Sequence, residues 1–126
     1  MNYLLNDDQR AFQETLERFL AERCDSLFLH RIADRKDGWQ DQLATLWQDF
    51  ASLGFCGLVV PEAFEGTGLG LFDAALIAET IGRAAAPLPF AEHQLCCLAI
   101  ALAGSPEQKS QWLPALARGD ITGSVA

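Results

Sequence analysis

The chain contains 126 residues, of which 50% are hydrophobic and 21% are charged, and its formal net charge is −8. This length suits one domain, and the apolar fraction is sufficient for a packed core, so a wholly disordered chain is excluded. The acidic balance disfavours nucleic acid and anionic membranes as partners, and no apolar run is long enough to span a bilayer.

The first predicted helix runs from about Asp7 to Arg23. Asn6 can cap it, and Gln9 stands three positions after the cap, as a capping box requires. Residues 24–29 either extend this helix or turn away from it. The charged stretch His30–Trp39 is predicted to be a connecting segment.

A second helix is predicted from about Gln40 to Leu53, with Gly54 just beyond its end. The apolar stretch Phe55–Pro61 follows. Next comes an irregular, closely packed loop with a glycine at every second position: Gly66, Gly68 and Gly70. A dinucleotide-binding fingerprint is disfavoured, because the third glycine comes one residue early and nothing else predicts parallel strands.

Asp73 can cap a third helix that continues to about Ala85. A fourth helix is predicted over Phe90–Ala103. From Leu95 onward this helix is apolar on every side, so we expect protein to surround it.

Ser105, Pro106 and Gln108 predict the start of a fifth helix, which Gly119 ends and which Pro114 should bend or shorten. The fold class is therefore predicted to be all-α, a single cluster of about five helices.

Few residues are candidates for a catalytic or ligand-binding role. His30 is expected to be solvated, and His93 to be a hydrogen-bonded core or cavity residue, with ligand contact as the alternative. Glu79 and Glu92 would form a carboxylate pair only if the fold brought them together. The four cysteines lack zinc-ligand spacing and are predicted to be reduced and partly buried, so no metal site is expected: Cys24, Cys56, Cys96 and Cys97.

Two separated blocks of the sequence resemble the N-terminal helical domain of the acyl-CoA dehydrogenase family. The departures are Ala63, Glu65 and Thr80, which leave the subfamily open. The matching residues are Leu53–Glu62, Phe64, Gly66, Gly68–Gly70, Glu79 and Gly82–Arg83, then Gly104–Lys109, Trp112–Leu116 and Gly119.

The resemblance implies that residues 1–126 are one helical domain, without the family's middle β-domain and C-terminal helical domain. It implies an oxidoreductase that desaturates an acyl-CoA thioester: a carboxylate base takes the α-proton, and FAD takes the β-hydrogen as hydride. The implied partners are the acyl-CoA substrate, an electron-transferring flavoprotein and further subunits of a homo- or hetero-oligomer. Because the base and most flavin contacts lie in the absent parts, no catalytic residue and no FAD ligand is assigned to this chain, which alone is expected to be inactive. A cytoplasmic location is expected, since no secretory signal is found.

By position in the family, Ala91, Glu92 and Leu95 are candidates for the wall of the acyl pocket. Interdomain packing is the alternative role for these three residues. A different class of function also stays open: a non-catalytic helical subunit, or an interaction module, that docks on a dehydrogenase partner.

Overall fold

The computed structural model describes residues 4–126, and all regular structure in that range is helical. Two single-turn 3₁₀ helices, Phe55–Gly57 and Glu62–Phe64, lie between α3 and α4. The six α-helices are α1 (Asp7–Arg23), α2 (Ser26–Ala33), α3 (Trp39–Ser52), α4 (Leu71–Arg83), α5 (Phe90–Ala103) and α6 (Pro106–Arg118). The all-α prediction is confirmed, with one helix more than the expected five.

The additional helix is α2, within a region predicted to be partly a connecting segment. The Asp25 carboxylate accepts a hydrogen bond from the Phe28 N–H at 2.8 Å and starts a new helix two residues after α1 ends. No α2 residue is fully buried, so the core pattern alone does not reveal it. The prediction that all of His30–Trp39 connects two helices is therefore wrong.

Two other boundaries differ from the predictions. α4 begins at Leu71 and not after Asp73, because Gly70 is the N-cap and its N–H donates to the Asp73 carboxylate at 3.1 Å. α6 continues through Pro114 to Arg118, so this proline does not shorten the helix. Ser110, whose carbonyl loses its helical partner to Pro114, is exposed and can be hydrated.

The core is centred on Phe50, which is fully buried. Its ring lies 5.7 Å from that of Phe55, 5.8 Å from that of Phe90 and 5.9 Å from that of Trp47, measured between centroids. α1 packs on α4, and α5 packs on α6 and on the turn Phe55–Gly57. The aromatic cluster therefore joins α3, α5 and the 3₁₀ helix Phe55–Gly57.

Residues 55–60, which we call the core segment, are all buried although they are not α-helical. The Gln94 side chain of α5 supplies hydrogen bonds to their backbone. Its Oε1 accepts from the Val59 N–H at 3.2 Å, and its Nε2 donates to the Cys56 and Phe55 carbonyls at 2.8 and 3.3 Å. One amide thus bonds to three buried backbone groups, of which the Phe55 carbonyl also accepts from the Leu58 N–H at 3.2 Å.

The glycine-containing loop folds back on the core segment. The N–H groups of residues 66–69 donate to the carbonyls of Pro61, Gly57, Val60 and Leu58, respectively, at 2.8–3.2 Å. Gly66 lies so close to Val60 that a Cβ atom on it would overlap the Val60 carbonyl. Glycine is therefore required at position 66 by close approach of two backbones.

We predict that Gly66→Ala lowers the free energy of unfolding by at least about 2 kcal/mol, because the added methyl group forces the loop away from the core segment. The matched control is Gly82→Ala in α4, where a Cβ atom meets nothing within 4 Å. This control should stabilise the chain by about 0.5–1 kcal/mol, since alanine favours a helix over glycine. Urea denaturation of both variants measures the difference, and equal effects would contradict the assigned role of Gly66.

We predict that Gln94→Ala lowers the free energy of unfolding by about 2–3 kcal/mol, because the buried Val59 N–H and Cys56 carbonyl lose the Gln94 amide, whereas the Phe55 carbonyl keeps the Leu58 N–H. Gln111→Ala on the exposed side of α6 is the control and should change stability by less than about 0.5 kcal/mol. Thermal unfolding followed by circular dichroism distinguishes the two. A Gln94→Ala variant as stable as the control would show that the three hydrogen bonds contribute nothing.

Candidate functional site

α5 has one buried face and one open face. Phe90, His93, Gln94 and Cys97 are buried. Leu95 and Leu102 are 55% and 76% exposed, and Ala91, Glu92 and Ala99 are exposed as well. This chain therefore covers α5 on one side only, and the predicted surrounding protein is not supplied by residues 4–126 on the other.

The three candidate pocket residues lie together on the open face. Ala91, Glu92 and Leu95 are at relative positions i, i+1 and i+4, which a helix places on one side. The side chains on this face are small or apolar, except for the Glu92 carboxylate in the first turn. Such a surface can contact an acyl chain or pack against another apolar protein surface.

A cavity of about 840 Å³ opens elsewhere, between α3 and the residues that follow α6. Trp47 on its wall uses its indole N–H to donate to the Gly119 carbonyl at 2.9 Å. The cavity is lined mainly by apolar side chains, which include Leu43, Ala51, Pro87, Pro89 and Ile121, and not by the three candidate residues. The structure thus does not place the candidates in this cavity.

His93 is fully buried, which confirms the prediction of a hydrogen-bonded core residue. Its Nε2 lies 2.9 Å from the Leu116 carbonyl oxygen, and its Nδ1 accepts from the Gly123 N–H at 3.3 Å. Burial lowers the pKa of His93 below its usual value, an effect that the Leu116 and Cys56 carbonyls partly oppose. The ring is therefore neutral at neutral pH and serves to join two backbone segments.

The other titratable candidates are not gathered into a site. His30 is exposed, and the Glu79 carboxylate pairs with Arg83 on the same exposed helix face. Glu92 lies on the open face of α5. The structure provides no hydrogen bond between Glu79 and Glu92 within residues 4–126, so the carboxylate pair left open by the sequence does not form.

The cysteines are free thiols, and burial keeps two of them protonated. All four are free, and three of them are buried. Burial raises the pKa of the Cys56 and Cys97 thiols to about 12. In the described part of the chain no group of potential ligands could hold a metal ion. Over the same residues, no helix has the length and apolar content needed to cross a bilayer.

The glycine-containing loop does not form a cradle for a dinucleotide. A phosphate cradle needs backbone N–H groups that are free to point at the ligand. Here the four N–H groups of residues 66–69 are all donated to carbonyls of the core segment and Pro61. The glycine-containing loop therefore offers no free N–H group at residues 66–69 for a phosphate.

Two polar contacts that organise this region were not recognised in the sequence. Gln94 follows Glu92 and His93 and directly precedes the apolar part of α5, and a polar amide at that boundary is the only local signal of its role. Arg118 connects the glycine-containing loop to the end of α6, because its guanidinium donates to Glu65 at 2.6 Å and to Asp120 at 2.8 Å. Glu65 has a φ of +69°, a left-handed conformation that is unfavourable for a residue with a side chain.

Known proteins are similar to this chain in sequence and in fold. The family described as acyl-CoA dehydrogenase, N-terminal domain, matches residues 6–120. The mitochondrial isovaleryl-CoA dehydrogenase of Pongo abelii is 30% identical over 97% of this chain and 29% of its own length. The isovaleryl-CoA dehydrogenase of Solanum tuberosum is 29% identical over 98% of this chain and 30% of its own length.

A solved acyl-CoA dehydrogenase from Bacillus anthracis, in complex with FAD, has the same fold. It superimposes with a TM-score of 0.73 and 30% sequence identity over 94% of this chain and 20% of the solved one. The chain thus spans less than a third of the length of the curated relatives that it matches. The extent of the family match, together with the six-helix fold, shows that this chain belongs to the acyl-CoA dehydrogenase family and corresponds to its N-terminal domain.

Proposed function

We propose that this chain forms the helical side of the substrate site in an FAD-dependent acyl-CoA dehydrogenase, which desaturates an acyl-CoA thioester between Cα and Cβ. The family match over residues 6–120 is the observation that carries the proposal. The open face of α5 supports it, because exposed Leu95 and Leu102 with intervening small residues suit contact with an acyl chain.

In this proposal residues 1–126 form one domain, and a middle β-domain and a C-terminal helical domain hold FAD and supply the catalytic base. The 29% of the Pongo abelii relative that this chain covers is in keeping with such a division. The internally satisfied N–H groups of residues 66–69 support weak or no binding of FAD by this chain alone. An isolated chain is then inactive.

Ala91, Glu92 and Leu95 are proposed to form part of the wall of the acyl pocket. Their exposure leaves them accessible to a ligand, and the small side chain of Ala91 leaves room beside Leu95. An electron-transferring flavoprotein is the proposed electron acceptor, and an oligomer is the proposed assembly. The cytoplasmic location stays a prediction, since the named relatives of Pongo abelii and Solanum tuberosum are mitochondrial.

We predict that the protein purified from its source through an affinity tag contains FAD in the polypeptide that carries residues 1–126. It should reduce an artificial electron acceptor only when an acyl-CoA is added. Flavin on a separate subunit would instead favour a non-catalytic helical subunit docked on a dehydrogenase. A preparation without flavin and without acyl-CoA-dependent reduction would contradict both functions.

We predict that Leu95→Trp in the flavin-containing enzyme changes substrate preference, because a larger side chain shortens the proposed pocket. The ratio of kcat/KM for long over short acyl-CoA substrates should fall about tenfold. Leu27→Trp is the matched control, since Leu27 is a 64% exposed leucine on α2. If Leu95→Trp leaves the ratio unchanged, or if the control changes it equally, Leu95 does not line the pocket.

A further inference from the structure

The buried ring of His93 bonds to two separate backbone groups. The Leu116 carbonyl can only accept a hydrogen bond, and the Gly123 N–H can only donate one. The ring must therefore carry its proton on Nε2, at 2.9 Å from the Leu116 oxygen, and present the Nδ1 lone pair to Gly123 at 3.3 Å. Both contacts are satisfied together only by this neutral tautomer.

Residues 121–126 rest on α5 and α6 through Gly123. Gly123 is half-buried, whereas the other five residues of this segment are exposed. A Cβ atom on Gly123 would lie 2.5 Å from the Cys96 sulfur and 3.2 Å from a Leu116 methyl carbon, so its backbone packs directly on both helices. The hydrogen bond from Gly123 to His93 is therefore the anchor of a segment that otherwise faces solvent.

We propose that His93 is a proton-sensitive latch: its neutral ring holds residues 121–126 against α5 and α6, and protonation at Nδ1 releases them. A proton on Nδ1 occupies the lone pair that accepts from the Gly123 N–H. The Nδ1–H and the Gly123 N–H are then two donors that face each other. The bond to Leu116 survives protonation, because Nε2 keeps its hydrogen. Release is thus confined to the segment that carries Gly123.

The groups that face His93 offer no negative charge to a protonated ring. α3 contributes the uncharged Trp47 ring, whose centroid lies 5.1 Å away, and α6 contributes the Leu116 carbonyl. The turn Phe55–Gly57 contributes the Cys56 thiol and the Cys56 carbonyl, and this carbonyl favours a protonated ring less than burial opposes one. Cys97 follows His93 by one helical turn. Both thiols stay neutral, since burial raises the pKa of each to about 12.

The charged residues near the end of α6 are engaged elsewhere. Arg118 pairs with Asp120 and with Glu65 at the surface. Glu92, next to His93 in the sequence, is exposed on the open face of α5. Within residues 4–126 no ion pair or hydrogen bond joins a carboxylate to the imidazole, whose partners are backbone groups, so a positive charge destabilises the docked ring.

The direction of the pH dependence follows from the lowered pKa of the docked ring. Burial holds the pKa of the docked His93 ring below its ordinary value, and release of residues 121–126 raises that pKa because water then reaches Nδ1. Docking of residues 121–126 is therefore strongest where the ring is neutral in both states and weakens as the pH falls through the pKa of the released ring. The docking equilibrium constant decreases up to about tenfold for each pH unit in this range.

The test is ¹⁵N NMR of the 126-residue chain titrated between about pH 7.5 and pH 5. The Gly123 amide resonance should shift with the same midpoint as the His93 ring, and residues 121–126 should lose order while the helices keep theirs. His30→Gln should behave like the wild type. His93→Asn, whose side-chain oxygen can still accept from Gly123 but does not titrate, should stay docked throughout.

Gly123→Pro provides a reference for the released segment, since it removes the donated hydrogen bond and places a Cβ atom against the Cys96 side chain. Residues 121–126 should then be released at every pH. The proposal is overturned if the wild-type segment stays ordered while the His93 ring is protonated, or if His93→Asn releases the segment at the same pH. It is also overturned if the segment loses order only when the whole chain unfolds.

Discussion

Buried backbone that is not helical must find hydrogen-bond partners, and this constraint organises the domain around α5. The core segment, residues 55–60, passes through the centre of the fold without α-helical structure. Gln94 bonds to three of its backbone groups, and neighbouring His93 bonds to one on α6 and one at Gly123. The position of the glycine-containing loop, and that of α5 itself, depend on these contacts.

The same helix separates structural from proposed functional roles. Its buried face carries the polar side chains that hold the fold, and its open face carries the apolar and small ones proposed to meet the acyl chain. This arrangement explains why the apolar pattern of α5 runs all round it. An all-round pattern is typical of a fully enclosed helix, whereas residues 4–126 cover α5 on one side and leave Leu95 and Leu102 exposed on the other.

The sequence predicted those structural features whose determining residues lie close together in the chain. The capping boxes of Asn6 with Gln9 and of Ser105 with Gln108 were predicted from three-residue spacings, and both form. The role of Gln94 could not be predicted, because its partners are 35 to 39 residues away. α2 was missed since it has no buried stripe. Ala91, Glu92 and Leu95 were suggested only by the family resemblance, and the fold adds that they share one open face.

The loop that folds back on the core segment has a consequence for slow motions. Thr67 and Gly68 are exposed, yet their N–H groups donate to the carbonyls of Gly57 and Val60, which are buried. Deuterium can replace these two amide hydrogens only when the loop lifts from the interior. Their exchange rates therefore report sub-global opening of the core and not the mobility of a surface turn.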